Sequence, residues 1–326
     1  MNNSEFIIKY LMKNGLKTAF GVTGGGAMFL NEAFRKEKKL EFVFMHHEQS
    51  AAMAAEAYYR IRNQPAILSV TSGPGGTNAL TGVIGAWIDS IPMIILSGQV
   101  ETKDLIAKSK TRQIGIQEAD IQKIAKPITK FTKVLNQNSD IEFELFNAIK
   151  IAKEGRPGPV WIDIPLDVQS KKFVKKKILF NSKKQTQKKR ILKSQILKTI
   201  KILKKAKKPL VLIGNGIHLS NAETKFKEFL KKSNLPFLTT WNASDIVPSS
   251  HKLNFGRPGL FGNRISNFAV QACDVLLVLG SRLSVPITGY QIKNFSPRSK
   301  KIIVDIDKKE IVKRKIKSEL KINSDV

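Results

Sequence analysis

The sequence predicts an α/β fold made of two doubly wound parallel-sheet domains. Three observations carry this expectation. Short, nearly continuous apolar runs alternate with helical stretches over the first 165 residues, glycine clusters close several of those runs, and the alternation restarts after a lysine-rich stretch. A strand apolar on successive residues is buried on both faces, as in parallel sheets covered by helices on each side. The length of 326 residues suits about two domains at ~150 residues each.

The expected strands of the first half are 18–24, 41–47, 66–72, 91–98 and 159–165, with helices at 27–37, 48–62 and 77–89 between them. Strand and helix in turn, joined by short connections, give a right-handed doubly wound sheet. Residues 169–190 read as a basic linker, because the NSKKQTQKK stretch has no periodic apolar face. A helix is expected at 191–206, where Ile191, Ile196, Ile200 and Leu203 recur at roughly helical spacing. A second unit follows: strand 209–213, the turn Gly214-Asn215-Gly216, helix 222–232, and strands 237–240, 275–279 and 301–306. The expected domains are therefore 1–168 and 191–326, both of flavodoxin- or Rossmann-like type, with the linker between them.

The formal charge of +30 raises the question of a polyanion partner. The excess is mostly lysine and is spread along the chain; its densest stretch, 171–208, holds no Asp or Glu. No aromatic-rich RNA-binding strand or zinc-finger spacing accompanies it, so no specific nucleic-acid partner is expected. Lysine bias on solvated faces and sequence-blind polyanion contact are the two readings. No apolar run approaches the ~20 residues of a membrane span. The first twenty residues lack a basic head, apolar block and cleavage site. One cysteine, Cys273, excludes an intrachain disulfide and suits a reducing, cytoplasmic setting.

Ligands of open parallel sheets bind beyond the carboxyl ends of the strands. Two glycine clusters fall there, Gly21-Val22-Thr23-Gly24-Gly25-Gly26 and Gly73-Pro74-Gly75-Gly76. Neither is a phosphate loop, since no Gly-Lys-Ser/Thr follows, and neither is a dinucleotide fingerprint. Tight strand-to-helix turns would explain them equally well. Glu48 stands where the second strand gives way to a helix. A carboxylate there suits the helix dipole alone; in a partly apolar cleft it could also exchange a proton with a ligand. His46 and His47 are adjacent on a strand and point to opposite faces, which argues against a metal pair.

The segments Phe20-Gly21-Val22-Thr23-Gly24-Gly25, His47-Glu48-Gln49, Ala54-Ala55-Glu56-Ala57-Tyr58 and Thr71-Ser72-Gly73-Pro74-Gly75-Gly76-Thr77-Asn78 resemble the N-terminal half of thiamine diphosphate-dependent enzymes of the acetolactate synthase type. Asp89-Ser90-Ile91-Pro92, Ser97-Gly98-Gln99-Val100, Gln117-Glu118, Ile128-Thr129-Lys130, Gly155-Arg156-Pro157-Gly158-Pro159-Val160 and Asp163-Ile164-Pro165 extend the likeness. Gly280-Ser281-Arg282 and Val304-Asp305-Ile306-Asp307 carry it into the second half.

The resemblance implies that 1–168 is the pyrimidine-binding domain and 191–326 a central domain. It implies thiamine diphosphate as cofactor, with Glu48 hydrogen-bonding the aminopyrimidine N1′ and so promoting loss of the thiazolium C2 proton. It implies that Val22, Thr23 and Gly24 contact the pyrimidine, that Thr71, Gly73 and Asn78 lie against the cofactor, and that Gln117 lies near the substrate. The implied activity is decarboxylation of a 2-oxo acid, pyruvate by default, and transfer of the acyl unit to a second carbonyl compound, as in branched-chain amino acid synthesis. Two alternatives stay open: a 2-oxo acid decarboxylase or a carboligase for an unusual acceptor such as a keto-sugar, and a non-catalytic binding fragment. A homo-oligomer, at least a dimer, is implied.

Three departures qualify the likeness. The Gly-Asp-Gly motif that holds magnesium and diphosphate in the family's C-terminal domain is absent. The expectation is a truncated chain that is inactive alone, its magnesium held by the absent domain, with no metal ligand in this chain. Ile116 stands where many synthases carry Phe before the substrate-side Gln, which reshapes the acceptor pocket. Finally, Arg156, Gly262, Arg282, Asp305 and Asp307 match positions near a non-redox FAD, while Ser284, Val285 and Pro286 replace an acidic pair and an arginine. FAD and an empty scaffold both stay open.

Overall fold

The computed structural model describes residues 1–106, 109, 111–176 and 193–326. The chain divides into two compact units, Met1–Phe180 and Asn181–Val326.

Unit 1 is a six-stranded parallel sheet in the order β2-β1-β3-β4-β6-β5. Its strands are β1 (Thr18–Gly21), β2 (Glu41–Phe44), β3 (Ile67–Val70), β4 (Ile94–Gln99), β5 (Phe131–Val134) and β6 (Val160–Pro165). Its helices are α1 (Asn3–Lys13), α2 (Met28–Lys36), α3 (Glu48–Arg62), α4 (Pro74–Asp89), α5 (Ile121–Ala125), α6 (Ile141–Lys153) and α7 (Leu166–Ser170). Alternate strand residues serve the two faces, as the strand period demands. Ile67, Ile94, Leu96, Val160, Ile162 and Ile164 join Ile7, Leu30, Leu145 and Val168 from α1, α2, α6 and α7 in one core. On the other face Trp161 lies beside Ile121 of α5 and Gly76 of α4, and α4 packs against α3.

Several expected boundaries move. β1, β2 and β3 end three, three and two residues before the expected 24, 47 and 72. The residues released, including Val22 to Gly24 and Thr71 to Ser72, form loops beyond the carboxyl ends. The fourth strand begins at Ile94 rather than 91. α4 begins at Pro74 rather than 77, since proline tolerates the first turn, where its missing N–H costs nothing. β5, α1 and α6 lie outside the expected elements. α1 is set by a capping box, Asn2 to Glu5. α6 is set by Asp140, whose carboxylate accepts from Phe143 N.

The linker expected at 169–190 starts too early. Gln169 is fully buried, its amide donating to Gly26 O and Ile164 O at 2.7 Å. Phe173 stacks on Phe6, with ring centroids 3.6 Å apart. Residues 177–190 of that linker, and the first two of the helix expected at 191–206, lie outside the described residues.

Unit 2 is a five-stranded parallel sheet in the order β11-β10-β9-β7-β8. Its strands are β7 (Pro209–Ile213), β8 (Phe237–Thr239), β9 (Val275–Leu279), β10 (Lys300–Asp305) and β11 (Leu320–Asn323). Its helices include α8 (Lys193–Lys205), α9 (Gly216–Leu219), α10 (Glu223–Ser233) and α11 (Arg264–Ala272). Val211, Ile213, Val275, Leu277, Ile302 and Val304 face one core, and Leu210, Leu212, Leu276, Val278 and Ile303 the other. A sheet buried on both faces explains why these strands read as unbroken apolar runs. On α8 the expected stripe shifts: Ile196 and Ile200 are exposed, and Ile202 and Leu203 pack on the core. Among the described residues no helix is long and apolar enough to cross a membrane.

His218 of α9 ties the top of this sheet together. Its Nδ1 meets Glu223 of α10 at 2.8 Å and its Nε2 meets Asp245 at 2.9 Å. Burial works against the imidazolium, but the two carboxylates outweigh it and raise its pKa above 6.5. The stabilisation is then complete below 6.5 and lost as pH rises through the folded value. Chemical denaturation of wild type and His218→Gln across pH 5.5–8.5 should show a stability difference that shrinks with rising pH.

Candidate functional site

In unit 1 the chain leaves β1 towards β2 on one side and β3 towards β4 on the other. The strand order therefore reverses between the paired strands β1 and β3, and the loops beyond their carboxyl ends open a crevice. Four loop or helix starts converge there.

The first carries Glu48. His47 is extended, and its Nδ1 accepts from Gln49 N at 3.1 Å, which makes it the cap of α3 and Glu48 the first helical residue. Glu48 begins the buried stripe Glu48, Ala51, Ala52, Ala55 and Tyr59, whose spacing is that of one helix face. The side chain is thereby turned inward, and the residue is only 8% exposed. Asn78 Nδ2, one turn into α4, donates to Glu48 Oε2 at 3.0 Å. Oε1 takes no hydrogen bond among the described residues. One carboxyl oxygen is thus held by Asn78, and the other faces Gly75.

The remaining walls are made of glycine and threonine. Thr71 Oγ1 accepts from Gly26 N at 3.1 Å. A Cβ at Gly24 would stand 2.5 Å from Thr71 Cβ. A Cβ at Gly75 would stand 2.7 Å from Thr71 Cγ2 and 3.6 Å from Glu48 Oε1, so only glycine keeps the gap between those side chains open. Val22 is half-buried, its N donating to Ser69 O at 3.3 Å, and Thr23 is exposed.

Gly73 joins this wall to Gln117. Its φ of 57° lies in the left-handed region, and a Cβ there would fall 1.6 Å from Gln117 O. Gln117 is itself at φ 55° and exposed, so its backbone rather than its side chain fixes it beside α4.

Val22, Thr23, Gly24, Glu48, Thr71, Gly73, Asn78 and Gln117 are thus brought together. Gly26 and Gly75 belong with them and were not singled out; the signal was their place in the two glycine clusters. Arg156 is not part of the group. It bonds Ser90 Oγ at 2.8 Å, at the C-terminal end of α4, roughly 24 Å along the helix from its start. In unit 2, Gly214 and Gly216 press on Gly280, where β7 and β9 end and the order again reverses. Arg282 follows that contact. Asp305 Oδ1 accepts from Asp307 N at 2.8 Å, and Asp307 caps the helix Lys308–Val312. Gly262 lies in the loop before α11, close against Arg257 O. His46 and His47 are exposed, and no cluster of three metal-ligating side chains occurs among the described residues.

A doubly wound unit with a buried carboxyl at its switch point, followed by a second doubly wound unit, is matched by two family descriptions. The N-terminal TPP binding domain of thiamine pyrophosphate enzymes matches residues 1–124, and the central domain of the same enzymes matches residues 196–326. The chain belongs to the thiamine pyrophosphate enzymes, and within them it is of acetolactate synthase type. It is similar to the acetolactate synthase isozyme 1 large subunit of Escherichia coli (strain K12), at 33% identity over 312 residues, covering 96% of this chain and 54% of that protein. The acetolactate synthase large subunit of Buchnera aphidicola subsp. Schizaphis graminum is 34% identical over 318 residues, 96% of this chain and 54% of that protein. The probable acetolactate synthase large subunit of Methanocaldococcus jannaschii is 35% identical over 317 residues, 96% and 52% respectively. The chain spans about half the length of the curated relatives it matches.

Gly73→Ala places a methyl group inside Gln117 O and forces a positive φ on alanine. Urea unfolding of unit 1 should show a loss of about 2–4 kcal/mol, larger than that of Gly25→Ala, where nothing lies within 4 Å of the added carbon.

Proposed function

We propose that this chain supplies the pyrimidine-binding site of a thiamine diphosphate-dependent carboligase that decarboxylates a 2-oxo acid, pyruvate first, and adds the acyl unit to a second carbonyl compound. The observation that carries the reading is the buried Glu48 carboxyl, one oxygen held by Asn78 and the other facing a gap that Gly75 and Gly24 keep open. A flat, nitrogen-bearing ring suits that gap. When bound, the cofactor supplies a nucleophilic carbon and an electron sink, chemistry that no side chain offers.

The chain's own part is orientation and proton handling. Glu48 would hold a proton at the pyrimidine N1′ and return it, which is general acid–base work by a carboxyl sheltered from water. Asn78 fixes the carboxyl plane by its single donated bond, so the oxygen offered to the ring has a defined direction. The Val22 to Gly24 segment and Thr71 would line the ring's faces, and Gly73 and its neighbour Gln117 would close the rim on the substrate side. Acetolactate formation is the default product, because the relatives matched carry that name. Magnesium and the diphosphate are proposed to be held by parts of the assembly other than these loops. A partner copy is proposed to complete the site. The switch point between β7 and β9 has two readings, a site for a non-redox FAD and an empty scaffold.

The test has two readouts on the full-length protein with thiamine diphosphate, magnesium and pyruvate. Product analysis should give acetolactate; acetaldehyde alone would favour the decarboxylase. Glu48→Gln should slow hydrogen–deuterium exchange at the cofactor C2 by about 10²–10⁴, the range of a lost acid–base group. An unchanged exchange rate contradicts the role given to Glu48.

A further inference from the structure

Beside the crevice lies a buried polar cluster that the proposed chemistry does not use. β4 and β6 are neighbours, with Ser97 opposite Asp163. Ser97, Gln99 and Asp163 are each at most 2% exposed. Trp161 Nε1 donates to Ser97 Oγ at 2.7 Å, and Ser97 Oγ lies 2.5 Å from Asp163 Oδ1. Gln99 Nε2 donates to Asp163 Oδ2 at 3.0 Å and also to Ala119 O at 3.2 Å. Gln99 Oε1 accepts from Val100 N at 2.9 Å. Every polar atom of the Gln99 amide is therefore engaged, as burial requires.

Two of these contacts reach the turn that carries Gln117. Gln99 grips its far end through Ala119 O. Val100 fills the space beside Gly115 at its near end, where an added Cβ would stand 2.6 Å from Val100 Cγ1. Between them the chain turns through Gln117, whose carbonyl rests on Gly73. Gln117 N and Glu118 N meet the side-chain oxygen of Gln113 at 3.0 and 3.2 Å once that amide is oriented to accept. The turn is exposed from Ile116 to Gln117 and buried only at Gly115 and Glu118, so its own packing does not fix it.

We propose that Gln99, braced by Asp163, is a positioning residue that holds the 115–119 turn and thereby sets Gln117 at the rim of the Glu48 crevice. The inference rests on reading that crevice as the cofactor and substrate site. Asp163 suits the bracing role because Gln99 and Ser97 fix both its oxygens. Burial, opposed by those hydrogen bonds and helped by the nearby Glu118 and Asp120, lifts its pKa from 3.8 to about 7. Glu118 is itself buried, with Oε1 accepting from Ile106 N at 2.5 Å.

Amide hydrogen exchange on the intact chain tests the proposal without cofactor or substrate. Gln99→Asn is one methylene shorter, keeps the polarity and withdraws the amide from Ala119. Gln99→Met keeps the volume and removes both polar groups. Both should speed exchange in residues 115–120 by about tenfold, the loss of one to two net hydrogen bonds, with α4, β4 and β6 within about twofold of wild type. Asp163→Asn retains an acceptor for Gln99 and should leave 115–120 protected. It should also remove a titration: a carboxyl raised in the folded state lends stability that is complete below 3.8 and lost as pH rises to about 7. Wild-type stability relative to Asp163→Asn should therefore fall over that interval and stay level above it. Unchanged exchange at 115–120 in both Gln99 variants, or an equal rise throughout unit 1, overturns the proposal. Since no ligand is present, either result is independent of the C2 exchange assay. Failure of Glu48→Gln to slow that assay removes the carboligase reading and leaves the exchange result standing.

Discussion

The bond from Asn78 to Glu48 is the constraint on which the site depends. Glu48 is a buried residue, 8% exposed, and a buried polar group without a hydrogen-bond partner is costly. That bond joins the first residue of α3 to the second turn of α4, helices separated in sequence by β3. It forms only because α3 and α4 approach closely. A Cβ at Gly82 would stand 2.5 Å from Ala52 Cβ, and the facing residues Ala51, Ala52, Ala55, Ala79 and Ala86 are small and buried. Larger side chains along this seam would part the helices and strand the carboxyl. The small-residue packing and the acid–base group are thus one device, set by the spacing of alanines and glycines.

The sheet contributes direction. Parallel strands point all their carboxyl ends to one edge, so the loops after β1 and β3, both rich in glycine, arrive together where the connections diverge. Glycine lets the loop after β1 lie on Thr71 and lets Gly73 adopt a positive φ against Gln117. The helix that follows Gly73 can then present Asn78 to Glu48. Local backbone freedom and long-range side-chain contact converge on the same few residues.

Much of this was legible in the sequence, for physical reasons. Strands buried on both faces must be apolar throughout, so β3, β4, β6, β7 and β9 announced themselves. Glu48 stood out through the resemblance, since by position alone a carboxylate in a first helical turn is accounted for by the helix dipole. The loops that line the crevice were read as strand ends, since Val22 and Thr71 are β-formers and only the tertiary contact with Thr71 and Gly24 releases them. Gln117 was expected by resemblance, but its anchoring through a backbone carbonyl leaves no trace in composition. The Gln99–Asp163 pair, 64 residues apart, is invisible to any local pattern. α6 was overlooked although Asp140 caps it, and Gln169 was assigned to a linker because a polar residue beside lysines gives no hint of complete burial. The lysine excess is not wholly superficial either: Lys301 is 5% exposed and donates to Ser296 O at 2.6 Å.

The most direct measurement is a titration of the isotope-labelled full-length protein with thiamine diphosphate in the presence of magnesium, followed by backbone amide resonances. Shifts concentrated at Gly24, Gly26, Glu48, Gly75 and Asn78, and strongly reduced by Asn78→Leu, are the expected result. Saturating ligand that leaves these amides unmoved, or moves a different set, would contradict a pyrimidine site built around the Glu48 carboxyl.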